Sequence, residues 1–81
     1  MTDTLPPDPE GLNDNRAKWA ATALRCFQRE TGADDEAFGD LLCDLMHWCD
    51  RNNADFDAAL SAARTHYAAE TAPEPTDEAQ P

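Results

Sequence analysis

The sequence predicts an all-α protein, a compact three-helix bundle with disordered acidic and Pro-rich tails. Three observations support this prediction. Residues 14–71 contain no proline and only two glycines. They are rich in alanine and leucine, which are strong helix formers. Their apolar residues recur three or four positions apart, the spacing of one helical face. A single domain of residues 14–71 is therefore expected.

The two ends of the chain differ in composition from this middle part. Residues 1–13 hold three of the six prolines, and residues 72–81 hold the other three together with three acidic residues. Both segments have too little apolar content to offset the loss of chain entropy on folding. They are therefore predicted to be disordered tails.

The first helix is predicted to begin near residues 13–15 and to end at Gly32. The Asn and Asp side chains at its start are good N-cap groups, and glycine is common directly after a helix. At 100° per residue the helix divides into two faces. The apolar face holds Trp19, Ala20, Ala23, Leu24 and Phe27, and the opposite face holds Lys18, Thr22, Arg25 and Arg29.

The second helix is predicted to begin after Asp34 and Asp35, whose charges suit a helix N-terminus. It ends near residues 52–53, where asparagine tolerates the left-handed conformation. Gly39 leaves two alternatives open. Residues 34–38 form a separate turn, or Gly39 lets another helix approach closely.

The stretch "GDLLCDLMHWCD" contains Asp, Cys and His, the residue types that bind metals and transfer protons. Helical geometry explains their positions more simply than a catalytic or metal site does. Its polar residues occur because one side of an amphipathic helix must face water. The apolar arc contains Leu41, Leu42, Leu45, Met46, Trp48 and Cys49. The polar arc contains Asp40, Cys43, Asp44, His47, Asp50 and Arg51, of which only Cys43 is out of place.

The third helix is predicted to begin around Asp55 or Asp57 and to end near Thr71, before Pro73. Three helices of about equal length with short connections predict an antiparallel arrangement. The set of large apolar residues is small for a lone domain, so self-association or docking to a partner is expected to bury more surface. Trp48 lies at one edge of its arc, where an interface anchor is expected.

A metal site is not expected. Cys43 and His47 are four residues apart, so one helix offers two ligands, but a structural zinc site needs about four. No CxxC, HExxH or further Cys/His pair completes the set. We therefore expect no metal and no cofactor. Under the alternative hypothesis of a metal site, Cys43 and His47 would be its two ligands.

The charge narrows the list of partners. Six Lys and Arg stand against 17 Asp and Glu, for a formal net charge of −11. Such a surface repels nucleic-acid phosphates and anionic membranes, so no direct contact with either is expected. It favours a protein partner with a basic surface. The odd number of cysteines and the absence of a signal peptide pattern predict free, mostly buried thiols in the reducing cytoplasm.

The pieces "DLLCDLMHWCDR", "DFDAAL" and "ARTHYAAE" resemble a group of small uncharacterised helical proteins of bacterial mobile elements. A fainter likeness is to the all-α nucleotide pyrophosphohydrolases, whose helices carry carboxylate pairs that bind magnesium. In that likeness Asp40 and Asp44 would be such a pair. The Glu-x-x-Glu spacing of that family and its second acidic motif are absent here.

Together these features predict a non-enzymatic protein-interaction module that regulates or inhibits a partner on behalf of a mobile element. Its acidity suits a basic surface that nucleic acid normally occupies, as in acidic anti-CRISPR proteins. A homodimer is a further expected assembly. The alternative is a metal-dependent, nucleotide hydrolase-like subunit that uses Asp40, Asp44 and His47. The candidate interaction residues are Asp40, Asp44, His47, Trp48 and Arg51.

Overall fold

A computed structural model describes residues 5–73, which form three α helices and no strand. The helices are α1 (Leu12–Thr31), α2 (Ala37–Arg51) and α3 (Phe56–Thr71). The predicted all-α, three-helix class is therefore confirmed. Of the two predicted disordered tails, residues 1–4 and 74–81 lie outside the described residues.

The sequence signals at the inner helix ends are confirmed. Gly32 ends α1 in the left-handed conformation, with φ of 75°, and its N–H donates to the carbonyl of Gln28 at 2.8 Å. Asn53 follows α2 with φ of 56°. The Asp55 carboxylate caps α3 by accepting from the N–H of Ala58 at 3.0 Å. Each residue type therefore stands where its conformational preference or capping oxygen is needed.

The start of α1 differs from the prediction. The helix begins at Leu12, and its first free N–H groups are not capped by residues 13–15. Instead the Asp8 carboxylate accepts from the N–H groups of Asn13 and Asp14 at 2.9 and 3.0 Å. A turn across residues 8–11 makes this possible, because the N–H of Gly11 donates to the carbonyl of Asp8 at 3.1 Å. The cap thus comes from a residue that was predicted to lie in the tail.

Gly39 fits neither of the two alternatives that the sequence left open. It lies in the first turn of α2, which continues through it, and a short turn precedes the helix at residues 35–36. A Cβ atom at Gly39 would meet nothing within 4 Å. Gly39 therefore neither breaks the helix nor allows a close helix approach.

The start of α1 meets the end of α3, whereas an antiparallel arrangement was predicted. The Nδ2 of Asn13, at the start of α1, donates to the carbonyl of Glu70, at the end of α3, at 2.8 Å. Helices of 20, 15 and 16 residues measure about 30, 22 and 24 Å. In an up-down-up bundle these two ends would lie a helix length apart, so the predicted antiparallel arrangement was wrong.

Few residues are buried within one chain. Among residues 5–73 only Ala37, at the start of α2, and Cys49, near its end, are buried. The half-buried residues include Leu24, Phe27, Leu41, Phe56 and Glu70.

The predicted apolar faces are therefore only partly covered within one chain. Leu45, expected in the core, is 41% exposed, and Trp19, expected on the packed face of α1, is 69% exposed. Within the described residues, no helix has the length and apolar character needed to cross a membrane.

Replacing Gly39 with alanine should stabilise the chain. Its surroundings are open and its φ is negative, so the methyl group meets no atom and the unfolded chain loses freedom. We expect the free energy of unfolding to rise by about 0.5–1 kcal/mol, as measured by urea denaturation. Gly32→Ala is the matched control and should destabilise, because its φ of 75° strains an L residue. Equal effects of the two changes would contradict the described backbone.

Replacing Asp8 with alanine should remove the cap of α1. We expect a loss of about 1 kcal/mol in the free energy of unfolding, the usual effect of losing an N-terminal capping side chain. Glu10→Ala removes a nearby exposed carboxylate that makes no described hydrogen bond to α1, and it should change stability by less than half as much. A negligible effect of Asp8→Ala in thermal denaturation would show that residues 5–11 do not support the helix.

Candidate interaction site

An acidic groove lies at the junction of α1 and α2. It has a volume of about 350 Å³ and is open to solvent. Asp40 and Asp44 lie one turn apart on α2 and line one side, with Cys43 beside them. The end of α1 and the following loop form the other side, through Phe27, Thr31, Gly32 and Ala33.

The electrostatics of the acidic groove favour a cation. A helix C-terminus carries partial negative charge on its last carbonyl groups, and α1 ends at the groove. Asp40 and Asp44 add two carboxylates, and neither makes an ion pair within 4 Å among residues 5–73. The guanidinium or ammonium group of another molecule would thus meet two carboxylates and a helix C-terminus together.

The remaining predicted interaction residues do not line this groove. His47 is exposed on the next turn of the polar arc, and its carbonyl accepts from the Arg51 guanidinium at 3.2 Å. Arg51 is exposed at the end of α2, and Trp48 lies on the apolar side of the helix, 57% exposed. The structure therefore brings Asp40 and Asp44 together and leaves the other three residues apart from them.

A second feature of α2 is its uncovered apolar side, which we call the apolar face of α2. It consists of five large side chains that are each exposed by 39–66%. Residues on this face recur at the spacing of one helical stripe. The five residues are Phe38, Leu42, Leu45, Met46 and Trp48.

A polar network at the junction of α1 and α3 was not predicted from the sequence. Asn13 joins the two helices through its bond to Glu70, and its Oδ1 accepts from Arg16 at 2.7 Å. Arg16 also pairs with the Glu70 carboxylate at 3.5 Å. The network borders a cleft of about 400 Å³ that Leu5, Pro6, Ala17 and Tyr67 help to line.

One sequence signal could have located the turn that precedes this network. The stretch "DPEG" at residues 8–11 places proline second and glycine fourth, which is typical of a type I turn. The contact between Asn13 and Glu70 carries no such signal, because it joins residues 57 positions apart.

The alternative metal pair is not brought together with further ligands. Cys43 lines the acidic groove, but His47 does not. No group of three or more His, Cys, Asp or Glu side chains suited to a metal ion occurs within residues 5–73. The three thiols are free, as predicted, but Cys26 and Cys43 are exposed and only Cys49 is buried. The expectation of mostly buried thiols was therefore wrong.

No family model, curated protein or solved structure matches the chain. The resemblance to proteins of mobile elements therefore stays a prediction.

Purified protein without a histidine tag should contain no stoichiometric zinc and should keep its fold in chelator. Cys43 and His47 supply at most two ligands, whereas a structural zinc site holds its fold through about four. We expect Cys43→Ser and His47→Ala each to change the free energy of unfolding by less than about 0.5 kcal/mol. Elemental analysis measures the zinc content, and thermal denaturation measures the stability of the natural chain and of the two variants. One zinc ion per chain with unfolding in chelator would make this polar arc a metal site.

Proposed function

We propose that the protein is a non-enzymatic interaction module that binds the basic surface of a protein partner through its acidic groove. The observation that carries this proposal is the pair of Asp40 and Asp44 carboxylates, unpaired among the described residues, beside the C-terminus of α1. A lysine or arginine side chain of the partner would replace the missing counter-ion and form charge-assisted hydrogen bonds.

The overall charge supports a partner that is basic over a wide area. The formal net charge of −11 is spread over 81 residues. The described structure forms only two ion pairs, Arg16 with Glu70 and Lys18 with Asp14. Most of the acidic side chains are therefore available to an external cationic surface. Charge of one sign raises the rate of encounter with an oppositely charged partner.

A basic surface of this extent is typical of a nucleic-acid-binding protein. An acidic helical module on that surface would exclude the phosphate backbone and so inhibit binding of nucleic acid. This is the action of an accessory regulator or inhibitor. We propose that the protein acts in the cytoplasm, where such targets are accessible.

The double change Asp40→Asn and Asp44→Asn should weaken partner binding at least tenfold, because it removes both carboxylates of the groove without changing side-chain size. The measurement has two steps. Partners are captured from the native host with the tagged full chain, and the purified partner is then titrated with each variant by calorimetry. Displacement of a labelled oligonucleotide from the partner is followed in the same titration.

The matched control is Glu10→Gln with Asp50→Asn, which removes two exposed negative charges away from the groove. It should change the affinity less than threefold. If the two double variants bind equally, the net charge and not the acidic groove determines binding. If the partner keeps its oligonucleotide when saturated with this protein, the proposed inhibition is wrong.

A further inference from the structure

We infer that the apolar face of α2 is covered by the same face of a second copy of this chain, with the two α2 helices antiparallel about a two-fold axis. This face lies on the side of α2 away from the acidic groove, so its pairing does not depend on the proposed function.

The exposed area matches the need of a stable dimer. A fully buried aromatic side chain removes about 150–250 Å² from water. The exposed fractions of Phe38, Leu45 and Trp48 then correspond to roughly 300 Å² of apolar surface per copy. Interfaces are about 60% apolar, so the full contact would be roughly 500 Å² per copy. A specific interface buries at least about 1,000 Å² over both partners.

The spacing of residues along α2 suits helix pairing. Phe38, Leu41, Leu45 and Trp48 follow one another at intervals of three, four and three residues. This alternation forms the narrow seam that two helices share in a coiled coil. Phe38, Leu45 and Trp48 are exposed, and Leu41 between them is half-buried within one chain. A two-fold interface requires a surface that is complementary to itself. With Leu41 opposite the partner's Leu45, Trp48 lies opposite the partner's Phe38, and the large rings lie at both ends of the contact.

Charge selects the antiparallel orientation. Arg51 is the only cation on α2, and within residues 5–73 it makes no ion pair. Residues 34–36, Asp-Asp-Glu, precede the other end of the helix. In the pairing above, Arg51 lies at the level of the partner's Asp35, and the contact occurs twice. A parallel pair would bring Arg51 against the partner's Arg51 and the two acidic ends together.

The two ends of the sequence carry few large apolar residues. Residues 1–4, "MTDT", and 74–81, "EPTDEAQP", contain no aromatic residue, leucine, isoleucine or valine. A foreign partner would need its own apolar stripe of matching length, whereas a second copy supplies one with complementary charges. The chain's own helix is therefore the occupant that the observations favour.

Replacing Trp48 with alanine should weaken the dimer at least tenfold. Trp48 is 57% exposed within one chain, so its removal affects the dimer contact more than the fold of the protomer. Trp19→Ala is the matched control, since Trp19 is 69% exposed on α1 and outside the apolar face. It should change the dissociation constant less than threefold. Analytical ultracentrifugation of the full chain over a concentration range of about 1–500 µM measures this constant, and circular dichroism checks that both variants stay helical.

The orientation is tested by exchanging charges between copies. Arg51→Glu alone places a carboxylate opposite the partner's Asp35, and Asp35→Lys alone places an ammonium group opposite the partner's Arg51, so each variant should dimerise at least fivefold more weakly. A mixture of the two variants should restore association, because both contacts then join opposite charges. Heterodimers in the mixture are counted by native mass spectrometry.

Three outcomes would overturn the inference. The first is a natural chain that stays monomeric at the highest concentration, about 500 µM, and the second is equal loss of association in Trp48→Ala and Trp19→Ala. The third is a mixture of charge variants that associates no better than either variant alone. None of these results bears on the acidic groove, so this inference and the proposed function fail separately.

Discussion

The contact between the start of α1 and the end of α3 brings the two ends of the helical region together. The Asn13 side-chain amide donates to the Glu70 carbonyl, one of the groups that a helix C-terminus leaves without an internal partner. Arg16 adds a bond to Asn13 and an ion pair with Glu70. Because these two ends meet, the three helices of 20, 15 and 16 residues cannot form an up-down-up bundle.

Little of the chain is buried within one copy. Among residues 5–73, the buried residues are Ala37, at the start of α2, and Cys49, near its end. Transfer of apolar surface from water is the main favourable term in folding, at about 25 cal/mol per Å². A chain that leaves Phe38, Met46 and Trp48 at least half exposed forgoes part of this term as a monomer, and association would recover it.

The sequence predicted the local structure well and the tertiary arrangement poorly, and the difference has a physical origin. The end of α1 at Gly32 and the cap of α3 at Asp55 depend on preferences of single residues, which the sequence shows directly. In the candidate site, Asp40 and Asp44 could be grouped because they are four positions apart on one helix. The opposite wall of the groove and the contact from Asn13 to Glu70 join distant parts of the chain. Helical periodicity identifies an apolar face but does not say what covers it, which is why Leu45 was wrongly placed in a core.

The acidic groove and the apolar face lie on opposite sides of α2. Asp40 and Asp44 line the groove together with the C-terminus of α1. At 100° per residue, Phe38 and Leu42 lie on the opposite side of the helix from Asp40. A basic partner in the groove would therefore leave the apolar face free to pair with a second copy, and the two contacts need not compete.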